Sequence, residues 1–482
     1  MCPSKTQTVV SGHVISHHDM DGSDAASSII KHSLCVSAYL LLIYLNVVLI
    51  VDSADNTTVP YPSQTYGLLG SALLYILRFL PLLPLLFCIF NFLGIVCINT
   101  FPAKPKLQYS PLVCSFVCFR VVTRGQYRTL ILDNVEKNIG TCGRVGLKNF
   151  MFEVVTDQTL NLPSMERVRE VVVPADFRPK NGSLFKARAL QYCLEPGVDT
   201  LGDEDWIVHL DEETLLTEDA VVGIVNFIST GSRHQFGQGV VTYSKVRIVN
   251  WLTTLAESVR VGFDLGVIRF TLKVLHKPVF GWKGSFVVAK AAAERSISFD
   301  HGPEASVAED CFFAMVAFAR GFSFDFVEGE MLEQSAFTIP DYLRQRQRWA
   351  QGIFLTACSS KIPLPHRLGP ILMSATALTA PFTALNVPLA VVCPVPVWPA
   401  VNAAFAFISS TLLFLFILGT VKSFSPKRYG LWRCGLLVLV TVLTSVVILL
   451  LEMVAILFAI LTPYKKEFFV VQKERPAETD HV

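Results

Sequence analysis

The run Arg344-Gln345-Arg346-Gln347-Arg348-Trp349 sets guanidinium groups beside an indole, downstream of two acidic clusters, Asp211-Glu212-Glu213 and Glu309-Asp310. Cationic side chains and an indole N–H grip phosphate oxygens, and paired carboxylates hold a hard divalent ion that binds the same oxygens. The combination suits a site that holds a nucleotide diphosphate through a metal. Asp211 and Glu213 stand two apart, just beyond the strand-like run Trp206–Leu210. A metal there neutralises the charge that develops on a departing diphosphate. A D-x-E pair is weak by itself, and Thr217-Glu218-Asp219 close by reads as an ordinary helix start.

Glu309-Asp310 opens the apolar run Cys311–Ala319. Acids in a first helical turn favour the helix dipole, which is the plain reading. The chemical one makes Asp310 a general base that takes the proton of an acceptor hydroxyl. Gly281-Trp282-Lys283-Gly284-Ser285, ahead of a strand, offers a tight turn and an aromatic platform for a sugar. Thr338–Gly352 reads as one helix, opened by a Thr338/Asp341 pair resembling a capping box. Gln345, Arg348, Trp349 and Gly352 then share a face by their three- and four-residue spacing. A basic helix drawn to anionic lipid is the competing reading, and the acidic motifs upstream weigh against it.

These residues need elements to hold them. Strand-like runs alternate with helix-like ones, which predicts a mostly parallel sheet with helices on both faces. The strands expected are Leu112–Thr123, Phe150–Thr156 ending at Asp157, Glu170–Pro174 and Trp206–Leu210, with a helix over Leu184–Leu194. Open α/β sheets bind ligands beyond the carboxyl ends of their strands, where Asp157 and Asp211 both fall. No glycine-rich dinucleotide loop and no P-loop is present.

The rest of the chain is too apolar for an ordinary soluble protein: 52% of its 482 residues are hydrophobic and 17% charged. The apolar residues gather in Cys35–Val51, Leu68–Ile98, Ile371–Val392, Val397–Val421 and Cys434–Thr462, each near or above the roughly 17–25 residues that span a bilayer. The organisation expected is a polar tail (1–34), a crossing (35–51), a luminal loop (52–67), a second crossing (68–98) and an α/β domain (101–362). A C-terminal membrane region of three or more segments (371–462) and a polar tail (463–482) follow. The loop Asp52–Gly67 lacks Lys and Arg and carries the sequon Asn56-Thr57-Thr58, which puts it in the lumen. The central domain, flanked by Lys104, Lys106, Lys361 and Arg367, then faces the cytosol. A net charge of +2 gives no reason to expect nucleic acid, and twelve cysteines without metal spacing suit a reducing compartment.

Taken in order, these motifs resemble the inverting family 2 glycosyltransferases. Glu153–Asp157, Phe185–Cys193, His209–Thr214 and Arg344–Gly352 look like the invertebrate Egghead-type β-1,4-mannosyltransferases within it. The resemblance implies a multi-pass α-helical membrane protein of the endoplasmic reticulum or Golgi with a cytosolic α/β GT-A (Rossmann-like) domain. It implies mannose transfer with inversion from GDP-mannose to glucosylceramide, in glycosphingolipid biosynthesis, assisted by Mg²⁺ or Mn²⁺. It implies Asp157, Lys186, Asp211, Gln345, Arg348 and Trp349 on the nucleotide sugar, with Asp157 at the base. Asp211 and Glu213 would face the metal, Asp310 would be the catalytic base, and Trp282 and Glu309 would meet the acceptor. Glu213 stands where the family usually has a second Asp.

Two rivals remain at this level. A processive polysaccharide synthase would line its membrane segments with polar groups, whereas here they carry almost no charge beyond Glu452. A transporter or receptor with a degenerate transferase domain would show gaps in the acidic set, and none is seen.

Overall fold

A computed structural model describes residues 22–55, 59, 61–230, 233–462 and 473. The Asn56 sequon and most of the polar tails lie outside the described residues.

Three helices come first: α1 (Gly22–Asp55), α2 (Pro62–Phe79) and α3 (Leu85–Cys97). The sheet region follows as β1 (Val117–Thr123), α4 (Arg128–Val145), β2 (Phe150–Thr156), β3 (Val168–Val172), α5 (Phe185–Tyr192), β4 (Trp206–Asp211), α6 (Glu218–Ser229) and β5 (Phe236–Thr242). Short helices α7 (Trp251–Ala256), α8 (Ser258–Phe263) and α9 (Arg269–Lys273) come next, with a π-turn over Asp264–Ile268 between the last two. Then come β6 (Val287–Lys290), α10 (Ala291–Ile297), α11 (Glu309–Ala319), β7 (Phe324–Leu332) and α12 (Ile339–Cys358). The chain closes with α13 (Leu364–Val392), α14 (Pro399–Ser423), the short α15 (Pro426–Tyr429) and α16 (Leu431–Leu461).

The seven strands run in the order β3-β2-β1-β4-β6-β5-β7. β6 is antiparallel to both its neighbours, and every other pairing is parallel. The sheet is therefore mixed where alternation alone predicts mostly parallel pairing. Because β6 runs backwards between β4 and β5, the six remaining strands all point their carboxyl ends to one edge. Asp157, Asp211 and Glu333 collect there, and the chain enters β6 from Ser285-Phe286 at that same edge.

Beneath the edge a charged row crosses the sheet. Arg169, Glu153, Arg120 and His209 stand in register on β3, β2, β1 and β4. Arg120 Nε donates to Glu153 Oε2 at 2.6 Å and its Nη1 to Glu294 Oε1 of α10 at 2.9 Å. His209 Nε2 reaches Glu294 Oε2 at 2.6 Å, and Arg169 Nη1 reaches Glu153 Oε1 at 3.2 Å. Arg120, Glu153 and Glu294 are at most 2% exposed. A buried charge survives only when fully paired, and here each partner has one.

Among the described residues, five helical stretches are long and apolar enough to cross a membrane: Ala25–Ile50, Pro62–Cys97, Leu364–Val392, Pro399–Ser423 and Leu431–Leu461. The last is a single helix of 31 residues. That makes it about 46 Å long, beyond the roughly 30 Å hydrocarbon core, so it tilts or emerges.

The sheet region does not sit apart from these helices. α8 lies along α14 and the π-turn along α3, held by backbone contacts that only glycine permits. A Cβ at Gly266 would fall 2.3 Å from Asn91 Oδ1, one at Gly94 2.1 Å from Gly266 O, and one at Gly419 1.7 Å from Ser258 O. Small residues at such crossings are how helices pack where lipid supplies no hydrophobic drive.

Candidate functional site

The loop after β4 is stitched in place from α4. Asn134 and Asn138, one turn apart, donate to the carbonyls of Glu212 and Thr214, each at 3.0 Å, and Asn138 Oδ1 accepts from Leu216 N at 2.8 Å. Thr214 Oγ1 accepts from Asp211 N at 3.2 Å and donates to Glu333 Oε1 at 2.8 Å. The loop thereby presents Asp211 and Glu213 to a cavity of about 890 Å³.

Lys186, projecting from α5, bridges the two acidic clusters. Its Nζ donates to Asp211 Oδ1 at 2.7 Å and lies 3.9 Å from Glu309 Oε1. Burial opposes that ammonium's charge, but Asp211 and Glu309 outweigh it and raise its pKa. Burial likewise opposes the charge on Asp211, and there Lys186, Lys473 and Arg348 prevail, holding the carboxyl below its ordinary value. Glu213 goes the other way: burial, with the charges of Asp211, Glu333 and Glu212, pushes it up to about 7 despite Lys473. Lys473 Nζ bonds Glu213 Oε2 and sits 3.1 Å from Glu212 Oε1. Cations thus already stand against both carboxylates of the D-x-E pair, and uncompensated repulsion remains.

Asp310 sits in the first turn of α11, whose N-cap residue Ala308 makes no side-chain cap. Its Oδ1 accepts from Cys311 N at 2.7 Å. Burial raises its carboxyl above the ordinary value, against the Cys311 N–H and the charges of Lys186 and Arg348. Glu309 beside it is pushed up to about 7 by burial and by Asp310. Gly284 leaves the space before this acid open: a Cβ there would lie 3.1 Å from Asp310 Oδ2 and 3.4 Å from Lys186 Nζ. The Trp282 indole lines the same cavity but is 8% exposed. Its N–H donates to the Asp310 carbonyl at 2.8 Å and its ring stacks on Phe313. Trp282 therefore braces the acid's backbone and offers little free ring face.

The helix α12 begins at Thr338, whose side chain accepts from Asp341 N as expected of a cap, and it runs six residues past Gly352. Gln345, Arg348 and Trp349 all line the cavity. Gly352 packs α12 onto the residue before Glu309, since a Cβ there would be 2.5 Å from Ala308 Cβ. Two guanidinium groups lie over the Trp349 ring, Arg260 at 4.3 Å and Arg346 at 4.5 Å from its centroid. Arg346 also borders the cavity and pairs with Glu257, at 2.7 Å, and with Glu452 of α16, at 3.1 Å.

Asp157 lies at the far rim, 3.0 Å from Arg188 Nη1 of α5. All the site residues expected from sequence border this one cavity. A family model described as Glycosyl transferase family group 2 matches residues 206–464. Beta-1,4-mannosyltransferase egh of Drosophila melanogaster is 49% identical over 420 residues, covering 87% of this chain and 92% of its own. Beta-1,4-mannosyltransferase bre-3 of Caenorhabditis elegans is 48% identical over 424 residues, covering 88% and 93%. The chain belongs to the family 2 β-1,4-mannosyltransferases.

Among solved structures, the mannosyltransferase PcManGT from Pyrobaculum calidifontis, in complex with GDP-Man and Mn²⁺, aligns with a TM-score of 0.46 at 14% identity. The alignment covers 81% of this chain and 98% of that one. So distant a likeness assigns nothing to individual residues of this mannosyltransferase.

Several cavity residues escape a reading of the sequence. Glu333 comes directly after β7 and Asp211 is the last residue of β4, so the same signal of an acid at a strand's carboxyl end marks it. Arg260 and Asp264 enter from the segment lying against the membrane helices, with Asp264 Oδ2 2.5 Å from Lys283 Nζ. Lys473 carries no sequence signal at all, being one lysine in a polar tail.

Proposed function

We propose that this mannosyltransferase moves mannose from GDP-mannose to the glucose of glucosylceramide, inverting the anomeric carbon, at the cytosolic face of the endoplasmic reticulum or Golgi. The observation that carries this reading is the seat of α12. The helix bearing Gln345, Arg348 and Trp349 is wedged between the Asp310 helix and α16. Gln347 Nε2 donates to Thr462 Oγ1 at 2.6 Å and Gln351 Nε2 to Ala459 O at 3.2 Å. A site built onto membrane helices suits an acceptor that rises only partway from the bilayer.

In this reading Asp310 takes the proton of an acceptor hydroxyl as that oxygen attacks the anomeric carbon from the side opposite the diphosphate. The C–O bond to the diphosphate breaks and its electron pair leaves with GDP, through an oxocarbenium-like transition state. Arg348, with Gln345 and the Trp349 indole N–H, receives the growing negative charge. Lys186 would hold Asp211 beside the reacting groups, Glu309 would flank the acceptor, and Asp157 would accept from the nucleotide base.

Asp211 and Glu213 fit a divalent cation such as Mg²⁺ or Mn²⁺. They are hard oxygen donors on one loop, and the raised Glu213 carboxyl marks a local demand for positive charge. When bound, the ion would neutralise diphosphate oxygens. The substitution Asp211→Asn should lower kcat/KM by roughly 10²–10³, mainly through weaker metal-dependent donor binding. Chelation with EDTA should silence the unaltered enzyme; activity that survives it removes the metal role.

The test of the whole reading is a donor-by-acceptor panel on purified enzyme. Mannosylated glucosylceramide should form from GDP-mannose and from no UDP-sugar. Transfer of glucose or N-acetylglucosamine from a UDP-sugar, with GDP-mannose ignored, would sink the substrate assignment. Orientation follows from the basic flanks of the central domain, and protection of that domain from protease in sealed microsomes would reverse it.

A further inference from the structure

A second cavity, of about 1330 Å³, lies among α2, α13, α14 and α16. It meets the first around Trp349: Phe87, Arg260, Phe263, Arg346, Trp349, Ile353 and Met373 border both. We propose that this second cavity is the seat of the acceptor's hydrocarbon chains, so that they lie along α13 while the sugar stands before Asp310. The inference rests on the lipid-acceptor reading above and adds where the lipid is held.

The room is made by one face of α13. Ala377, Ala380, Thr383 and Ala384 line the cavity, and their three- and four-residue spacing keeps them on one side of the helix. Larger side chains at those positions would close it. The lining extends along α13 from Leu372 to Val391, roughly 28 Å at the helical rise, close to the thickness of a hydrocarbon core. The volume exceeds the roughly 300–1,000 Å³ of ordinary small-molecule pockets, and most of the bordering side chains are apolar.

A sugar polymer would need a continuous row of polar groups along that path. Most of the large polar groups present are engaged with one another, with a ring or with the backbone, while Arg78 Nε is buried without a hydrogen-bond partner. Asn386 Nδ2 donates to Leu77 O at 2.5 Å, Arg78 Nη2 to Asn402 Oδ1 at 3.4 Å, and Glu452 takes Tyr342 and Arg346. Alkyl chains ask for none of them. Moving such chains from lipid into this cavity yields little hydrophobic free energy, because both surroundings are apolar. Its effect is positional: chains anchored along α13 fix the height at which the sugar hydroxyl meets the base.

The test fills the cavity. Ala380→Phe should raise KM for N-palmitoyl glucosylceramide at least about fivefold, with KM for GDP-mannose held within about twofold. A smaller rise, or an equal rise in both constants, overturns the seat. Should the variant fail to fold, the unaltered enzyme answers the question. Glucosylceramide carrying a diazirine at the end of its acyl chain should label peptides of α2, α13, α14 or α16, the helices that line the cavity, on irradiation, and excess unlabelled glucosylceramide should suppress it. Labelling confined to other segments overturns the proposal. If the unaltered enzyme mannosylates no glucosylceramide, the acceptor assignment falls and this seat with it; if it does and the Ala380→Phe constants do not separate, the seat alone falls.

Discussion

Asp310→Asn should reduce kcat by roughly 10²–10⁴ while leaving affinity for GDP-mannose near that of the unaltered enzyme. The amide keeps the shape of the carboxylate and its bond to Cys311 N, and loses only the ability to take a proton. A variant retaining more than about a tenth of the turnover would show that another group is the base. The pH profile supplies a second readout. Burial raises the Asp310 carboxyl above its ordinary value, and the base must be ionised to act. Activity should therefore fall as pH drops through that raised pKa, at a higher pH than an ordinary aspartate would give. The neighbouring Glu309, pushed up to about 7 by burial and by the charge on Asp310, interacts with it electrostatically, so the limb belongs to the pair. In Asp310→Asn the residual rate should lose this dependence on Asp310.

The next largest effect is expected far from any substrate. Arg120→Ala removes the cation between Glu153 and Glu294 and leaves two buried carboxylates facing each other across the sheet. Breaking a buried ion pair by removing one partner costs about 3–5 kcal/mol, which for a domain of this size lowers the melting temperature by about 10 °C. A thermal melt of the detergent-solubilised protein measures it. A shift within about 2 °C would mean that the row adds nothing to stability.

That row also shows where sequence reading reached and where it stopped. Glu153–Asp157 and His209–Thr214 stand out as motifs, and the obvious readings go to the acids at their ends. Their first residues, Glu153 and His209, meet Arg120 and Glu294 beneath the sheet instead. Nothing local shows this, because the partners lie 33 and 85 residues away and depend on strand register. The strands themselves were legible where an apolar run ended abruptly, as Phe150–Thr156 and Trp206–Asp211 do. The reversed direction of β6 was not, since four residues, Val287–Lys290, carry no mark of direction. The helix from Thr338 was legible through its cap and its face. Its continuation past Gly352 was hidden by a glycine that resembles a stop and in fact lets the helix press on Ala308. Segment 251–273 escaped notice as a partner of the membrane helices because Glu257, Arg260, Asp264 and Arg269 dilute its hydropathy. Those same side chains point inward, to pairs such as Arg269 with Glu328 at 3.1 Å.

The glycine contacts between that segment and α3 and α14 set how the enzyme can be handled and how it works. Backbone lies close on its neighbour at Gly94, Gly266 and Gly419, so a cut between the sheet region and α3 or α14 would part surfaces that fit at the backbone. A cut there would bare glycines and apolar faces together. The candidate site is keyed to the long apolar helices as a tool is bolted to its bench, at a position fixed when the chain folds. In a bilayer, a change of thickness should then change which lipids reach the site, because these contacts carry the site along with the apolar helices.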